Sequence, residues 1–216
     1  MANRNHVLVT GEYYHIYNRG NSKQDIFLDT QDYLVFQQFL YLMNMEKRVT
    51  AREVGQFVYS YKREEPLVSI GAYCLMPNHI HILLKQEQEN GISKFMQKLS
   101  TAHAMYFNKK YTRTGGLFEG AFKSKWVSGD VYLKYLYSYI HLNPMKIQNF
   151  SWKEDLKVGK KIDTKYVLEY PFSSVLDYLG VVRNENIILN KATFPSYFSE
   201  RGDFLKEMMS WFKVEA

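Results

Sequence analysis

His79 and His81 are separated by a single aliphatic residue in the run Leu75-Met76-Pro77-Asn78-His79-Ile80-His81-Ile82-Leu83-Leu84. In an extended chain alternate side chains share a face, so the two imidazoles point one way and Ile80, Ile82 and Leu84 the other, toward a core. Polar rings on an otherwise apolar strand are costly unless something binds them. A divalent metal would do so, because neutral imidazole is a common ligand. Hydrogen bonds within a sheet would do so as well. A third histidine or an aspartate two residues on would mark a nucleotide hydrolase or a metallo-hydrolase, but that position is Leu83. Any further ligand must come from elsewhere in the chain.

Tyr132, Tyr135, Tyr139 and Asn143 recur at three- and four-residue intervals, which places them along one side of a helix. An aromatic stripe of this kind can be core packing, or it can present a phenol to a site. Asn143 can end the helix before Pro144, or offer an amide oxygen.

The elements that must position these groups follow from periodicity and turn chemistry. Residues 13–18 read as a strand ending at an Arg19-Gly20-Asn21 turn. Asp29 to Asp32 offer N-cap chemistry, and Tyr33, Phe36, Leu40 and Met43 predict a helix over 30–46. Residues 48–66 are polar and mixed, a loop with a short element. Strands at 67–74 and 79–85 flank a turn at 75–78. A helix over 92–108 carries Ile92, Phe95, Leu99, Ala102 and Tyr106 on one stripe. A fourth strand is expected over 117–127, kinked near Gly120. Ser128 then caps a helix running to Asn143, stopped by Pro144.

The order β-α-β-β-α-β-α predicts an α+β fold. Its first six elements match a ferredoxin-like split βαβ, an antiparallel sheet with helices on one face. The other face would be free, and His79 and His81 would lie there. Residues 1–150 are read as one domain and residues 151–216 as an extension packed on its core. That extension includes the Tyr170-Pro171-Phe172-Ser173-Ser174 segment.

The chain has 216 residues, 23% of them charged, with a net charge of +6. Such a balance suits a polyanionic partner. Cys74 is the single cysteine, so no intramolecular disulfide forms, and its apolar strand suggests an inert core thiol. The N-terminus lacks the apolar core of a signal peptide, and no run approaches the roughly 18 apolar residues of a membrane span. A soluble, cytoplasmic protein with no membrane partner is expected.

The histidine segment, together with Tyr139-Ile140-His141-Leu142-Asn143-Pro144, resembles the single-tyrosine HUH transposases, and more narrowly the REP-associated tyrosine transposases. Supporting matches are Tyr14-His15-Ile16-Tyr17-Asn18-Arg19-Gly20, Gly116-Leu117-Phe118-Glu119-Gly120, Phe122-Lys123-Ser124 and Pro171-Phe172-Ser173-Ser174; the resemblance covers residues 13–180. It implies that His79 and His81 bind Mg²⁺ or Mn²⁺, that Asn143 adds a metal contact through its side-chain oxygen, and that Tyr139 is the nucleophile. It also implies cleavage and rejoining of single-stranded DNA through a 5′-phosphotyrosine beside a hairpin, by a monomer or a homodimer. Two departures stand out: Met145-Lys146-Ile147-Gln148 follows Pro144 where relatives carry a basic residue and Ala-Gly, and Ala121 stands where relatives often carry Arg.

Candidate DNA contacts are Arg19, Lys94, Lys98, Arg113, Lys123 and Lys125, with Phe118, Phe122 and Trp126 interleaved among the last of them. His15 and His141 are read as structural or as neighbours that orient metal-bound imidazoles. Two rival readings carry different expectations. A non-catalytic, domesticated single-stranded nucleic-acid-binding protein would bind without nicking. A metal-dependent phosphoesterase using water would nick DNA and leave no protein attached.

Overall fold

The computed structural model describes residues 7–49, 51–54, 57–198 and 200–212, with the backbone alone at 51 and 52. Strand β1 (Tyr13–Arg19) leads into helix α1 (Thr30–Leu42), which Asp29 opens in a reciprocal capping box with Asp32. Helix α1 stops at Leu42 rather than at residue 46, and a short helix α2 (Ala51–Val54) follows. Strands β2 (Val68–Met76) and β3 (His79–Gln86) form a hairpin whose turn is only Pro77 and Asn78. Helix α3 (Gly91–Lys110), strand β4 (Lys123–Trp126) and helix α4 (Asp130–His141) complete the expected order.

The four strands form one antiparallel sheet in the order β2-β3-β1-β4, with α1 and α3 on one face. Ile16, Tyr73, Ile80, Ile82 and Leu84 point into that layer and are buried there with Phe36, Leu40, Phe95 and Leu99. This is the α+β, ferredoxin-like arrangement that the element order predicts.

Three local expectations need correction. Strand β4 covers only four residues, because residues 117–122 wrap over the end of β1 instead of extending. There Glu119 N donates to the Arg19 carbonyl, Asn18 Nδ2 donates to the Gly120 carbonyl, and Gly120 has φ 141°. Helix α4 is capped by Gly129 at φ 85°, not by Ser128. It ends at His141, and Pro144 opens a separate turn of helix, α5 (Met145–Gln148).

The second face of the sheet is not free throughout. Helix α4 packs across β2 and β3, burying Leu133, Leu136, Tyr137 and Ile140 with Ala72, Cys74, Met76 and Leu83. Four short or peripheral helices follow: α6 (Trp152–Lys157), α7 (Lys165–Leu168), α8 (Val175–Tyr178) and α9 (Arg201–Ser210). The segment before α8 adds to the sheet edge: Leu75 N donates to the Phe172 carbonyl and Ser174 N to the Tyr73 carbonyl. Gly71 sits at a register shift in β2 beneath Phe194, and a Cβ there would lie 2.7 Å from that ring. All nine residues of β2 are therefore buried. Among the described residues, this face is least covered along β1 and β4, and the chemistry-bearing side chains collect there and on the adjoining edge of β3.

Candidate active site

Register places the site. Tyr17 lies opposite His81 and Arg19 opposite His79 across the β1/β3 pair, while Lys123 faces Tyr17 and Lys125 faces His15 across β1/β4. Cross-strand partners share a face. His15, Tyr17, Arg19, His79, His81, Lys123 and Lys125 thus stand on the side away from α1 and α3. The hairpin end carrying His79 is pinned by segment 20–27: Gly20 N donates to the Asn78 carbonyl, and Ile26 N and Phe27 N donate to the Pro77 carbonyl.

The imidazoles form a linked set. His81 Nδ1 is 2.9 Å from His15 Nε2, and the two rings stack with centroids 5.1 Å apart. His79 Nδ1 is 2.6 Å from Asn78 Oδ1, an acceptor, so that nitrogen holds the proton and Nε2 carries the lone pair. Burial, with nearby Lys146 and Arg19, brings the His79 pKa down to about 4. Burial first and Lys125 second bring His15 to about 4, and burial also pushes His81 well below its ordinary value. All three rings are neutral at pH 7.

Helix α4 brings in the tyrosine. Its buried side faces β2 and β3, which leaves Tyr132, Tyr135 and Tyr139 as a stacked row on the helix margin, with centroids 5.8 and 6.0 Å apart. The Tyr139 ring meets His15 and His81 edge-on, 5.6 Å from each. Burial, then the neighbouring Tyr135, raises its pKa, while Lys125 opposes the rise. A phenol so placed needs an added positive charge to ionise near neutrality.

Asn143 is buried one turn on. Its Nδ2 donates to the Tyr139 carbonyl at 2.8 Å, and its Oδ1 accepts from Lys146 Nζ at 3.2 Å. Lys146 Nζ also lies 5.8 Å from the Tyr139 ring centroid. Lys146, a departure from the family pattern in sequence, thus bonds Asn143 and stands near Tyr139.

Two hollows border these groups, one at the imidazoles and one at Tyr139. A cleft of about 600 Å³ is lined by Tyr17, Arg19, His79, His81, Lys123 and Lys146 among others. A hollow of about 30 Å³ is lined by Tyr139, Asn143, Lys146, Trp152, Lys153 and Trp211. Lys146 borders both.

A family model of IS200-like transposases matches residues 9–143. This chain belongs to the IS200-like transposase family. The matched span runs from just before β1 to Asn143 and contains the whole imidazole and tyrosine set. Among solved structures, a REP-associated tyrosine transposase bound to a REP hairpin superposes with a TM-score of 0.52 at 14% identity, covering 86% of this chain and 90% of that one. At that identity the likeness speaks for the fold. No curated protein matches the chain.

The side chains of this transposase fit a divalent cation. Among the described residues, His79 Nε2 and His81 Nε2 have no hydrogen-bond partner, and both rings are neutral, as ligation requires. Asn143 Oδ1 already faces a cation, the Lys146 ammonium. No group of three His, Cys, Asp or Glu side chains among the described residues could hold a metal alone. Two neutral imidazoles with ring centroids 5.0 Å apart suit an ion that keeps most of its water.

The basic candidates separate into two groups. Arg19, Lys123 and Lys125 lie on the site face; Arg19 is ion-paired with Glu119, and Lys125 sits 4.6 Å over the Tyr132 ring. Lys94 and Lys98 belong to α3, on the opposite face of the sheet. Lys94 pairs with Glu46, and Lys98 donates to the carbonyls of Met45 and Lys47. Arg113 donates to Gln24 Oε1 and stacks over Phe107. Phe122 is buried in the core and Phe118 packs half-buried against it, whereas Trp126 is half exposed and donates to Glu12. His141 is spent on structure: its Nε2 is 2.7 Å from Ser174 Oγ, which accepts from Tyr73 N, so it ties α4 to β2.

Proposed function

We propose that this IS200-like transposase cleaves and rejoins single-stranded DNA beside hairpins, with Tyr139 as the nucleophile. The observation that carries the reading is the Tyr139 ring lying 5.6 Å from both His81 and His15. A phenol beside neutral imidazoles, with Lys125 and Lys146 near it, is a chemically coherent set for phosphoryl transfer.

His79, His81 and Asn143 would hold Mg²⁺ or Mn²⁺, which when bound draws charge from a non-bridging phosphate oxygen and favours the ionised phenol. Lys146, Lys123 and Arg19 attract the backbone and orient the phosphate. The Tyr139 oxygen attacks phosphorus and gives up its proton to solvent. The P–O3′ bond breaks, its electron pair goes to O3′, and that oxygen takes a proton. A 5′-phosphotyrosine and a free 3′-hydroxyl result. One phosphoester replaces another, so a second 3′-hydroxyl can reverse the step without nucleotide hydrolysis. Residues 1–150 are proposed as the catalytic unit and 151–216 as the extension that braces it. Among the described residues no helix is long and apolar enough to cross a membrane.

The test is incubation with a single-stranded hairpin oligonucleotide and Mn²⁺, followed by denaturing electrophoresis. A denaturation-resistant protein–DNA species supports the reading. Salt-sensitive binding without nicking would favour a domesticated binding protein, and nicked DNA without attached protein would favour hydrolysis by water.

A further inference from the structure

The larger cleft has features the transfer reaction itself leaves unexplained. On the α5 side it presents two apolar side chains beside Lys146: Ile147 is 40% exposed, and Phe150, just beyond the helix, is 85% exposed. A phenyl ring left this open to water forgoes burial that would stabilise the fold. The lining also holds His79 and His81 and the cations Lys23, Lys123 and Lys146, the last on α5 itself, with the acids Asp25 and Glu119, the latter paired with Arg19. An open aromatic ring in a cleft lined by more cations than acids, in a volume within the roughly 300–1,000 Å³ range of small-molecule sites, is the chemistry that takes one nucleotide, ring against base and lysine against phosphate.

The side of the scissile bond follows from in-line displacement. Attacking and leaving oxygens stand on opposite sides of phosphorus. Tyr139 borders the small hollow with Trp152 and Trp211, and the cleft lies across His81 and His79 from it. Lys146, common to both hollows, marks the boundary where the phosphate would sit. We propose that the cleft seats the unpaired nucleotide whose 3′-oxygen departs when Tyr139 attacks, with Phe150 stacking on its base. This rests on the strand-transfer reading above.

The experiment couples a protein change to a DNA change. Hairpin oligonucleotides carrying a single abasic site at successive positions around the cleaved bond are titrated with the protein and with Phe150→Ala, in Mn²⁺. The free 3′ end produced by the unaltered protein maps the bond. Base stacking on an aromatic ring is worth about 1–3 kcal/mol, so an abasic site at the departing nucleotide should weaken binding roughly 5- to 150-fold. The same abasic site should add little to Phe150→Ala, and Phe150→Trp should restore the sensitivity. An exposed ring can be exchanged without unfolding the chain. A covalent product with no coupling at that nucleotide, or with coupling on the tyrosine-linked side, would overturn the cleft assignment alone. Absence of any covalent product would overturn the transfer reading and the departing-side assignment together.

Discussion

His15 on β1 holds His81 on β3 through a hydrogen bond of 2.9 Å between ring nitrogens. One imidazole is thereby oriented by another, and His81 Nε2 is left without a hydrogen-bond partner among the described residues. Such supporting contacts typically change metal affinity by about 10- to 100-fold. His15→Ala should weaken Mn²⁺ binding by that factor, measured by titration calorimetry, while folding remains cooperative. Unchanged affinity would mean that His81 needs no support.

The Asp32 carboxylate predicts an acid limb of stability. Burial pushes its pKa up, but Lys110, Leu28 N, Tyr111 and Tyr106 outweigh burial and hold it at about 2. The unfolded carboxyl titrates at about 3.9. Because the folded pKa is the lower one, this stabilisation is present above pH 4 and fades as pH falls toward 2. Asp32→Asn should cost about 1.5–3 kcal/mol near neutrality, where charge-assisted hydrogen bonds are lost. The gap between the two melting temperatures should narrow below pH 4. A constant gap across pH 2–7 would contradict the assignment.

Arg183 fixes the C-terminal segment to the sheet. Its guanidinium pairs with fully buried Asp177 and donates to Tyr73 Oη, the Ser173 carbonyl and the Pro171 carbonyl. Removing one partner of a buried pair leaves an uncompensated charge, at a cost of about 3–5 kcal/mol. Arg183→Ala should lower the urea midpoint accordingly, whereas a change below 1 kcal/mol would show the contact to be peripheral.

Much of this architecture is legible in the chain, for identifiable reasons. The period-two pattern around Ile80, Ile82 and Leu84 and the helical spacing of Phe95 and Leu99 are local signals, and the order of elements that predicts the fold is read from such signals. The length of β4 was not legible, because residues 117–122 carry strand-like side chains but are recruited to the end of β1 by Glu119 and Gly120. Nor was the cover over β2, which depends on Phe194 and Ser174, both more than a hundred residues away. At the site, His15 shows the same alternation as His81, but its partner is set by strand order rather than by spacing. The basic residues between 94 and 125 look like one cluster in sequence. The sheet separates them, since α3 and β4 present their lysines to different faces. Lys146 gave no periodic signal, because it lies in the short α5 turn beyond Pro144.

The central claim is that Tyr139 becomes covalently joined to DNA. The most direct measurement is mass spectrometry of the protein digested after reaction with a 5′-labelled and 3′-labelled hairpin oligonucleotide in Mn²⁺. A nucleotide mass is expected on the peptide containing Tyr139, joined through a 5′-phosphate, and no such species from Tyr139→Phe, which should still bind the hairpin. A nucleotide on any other residue, or an undiminished adduct in Tyr139→Phe, would contradict it.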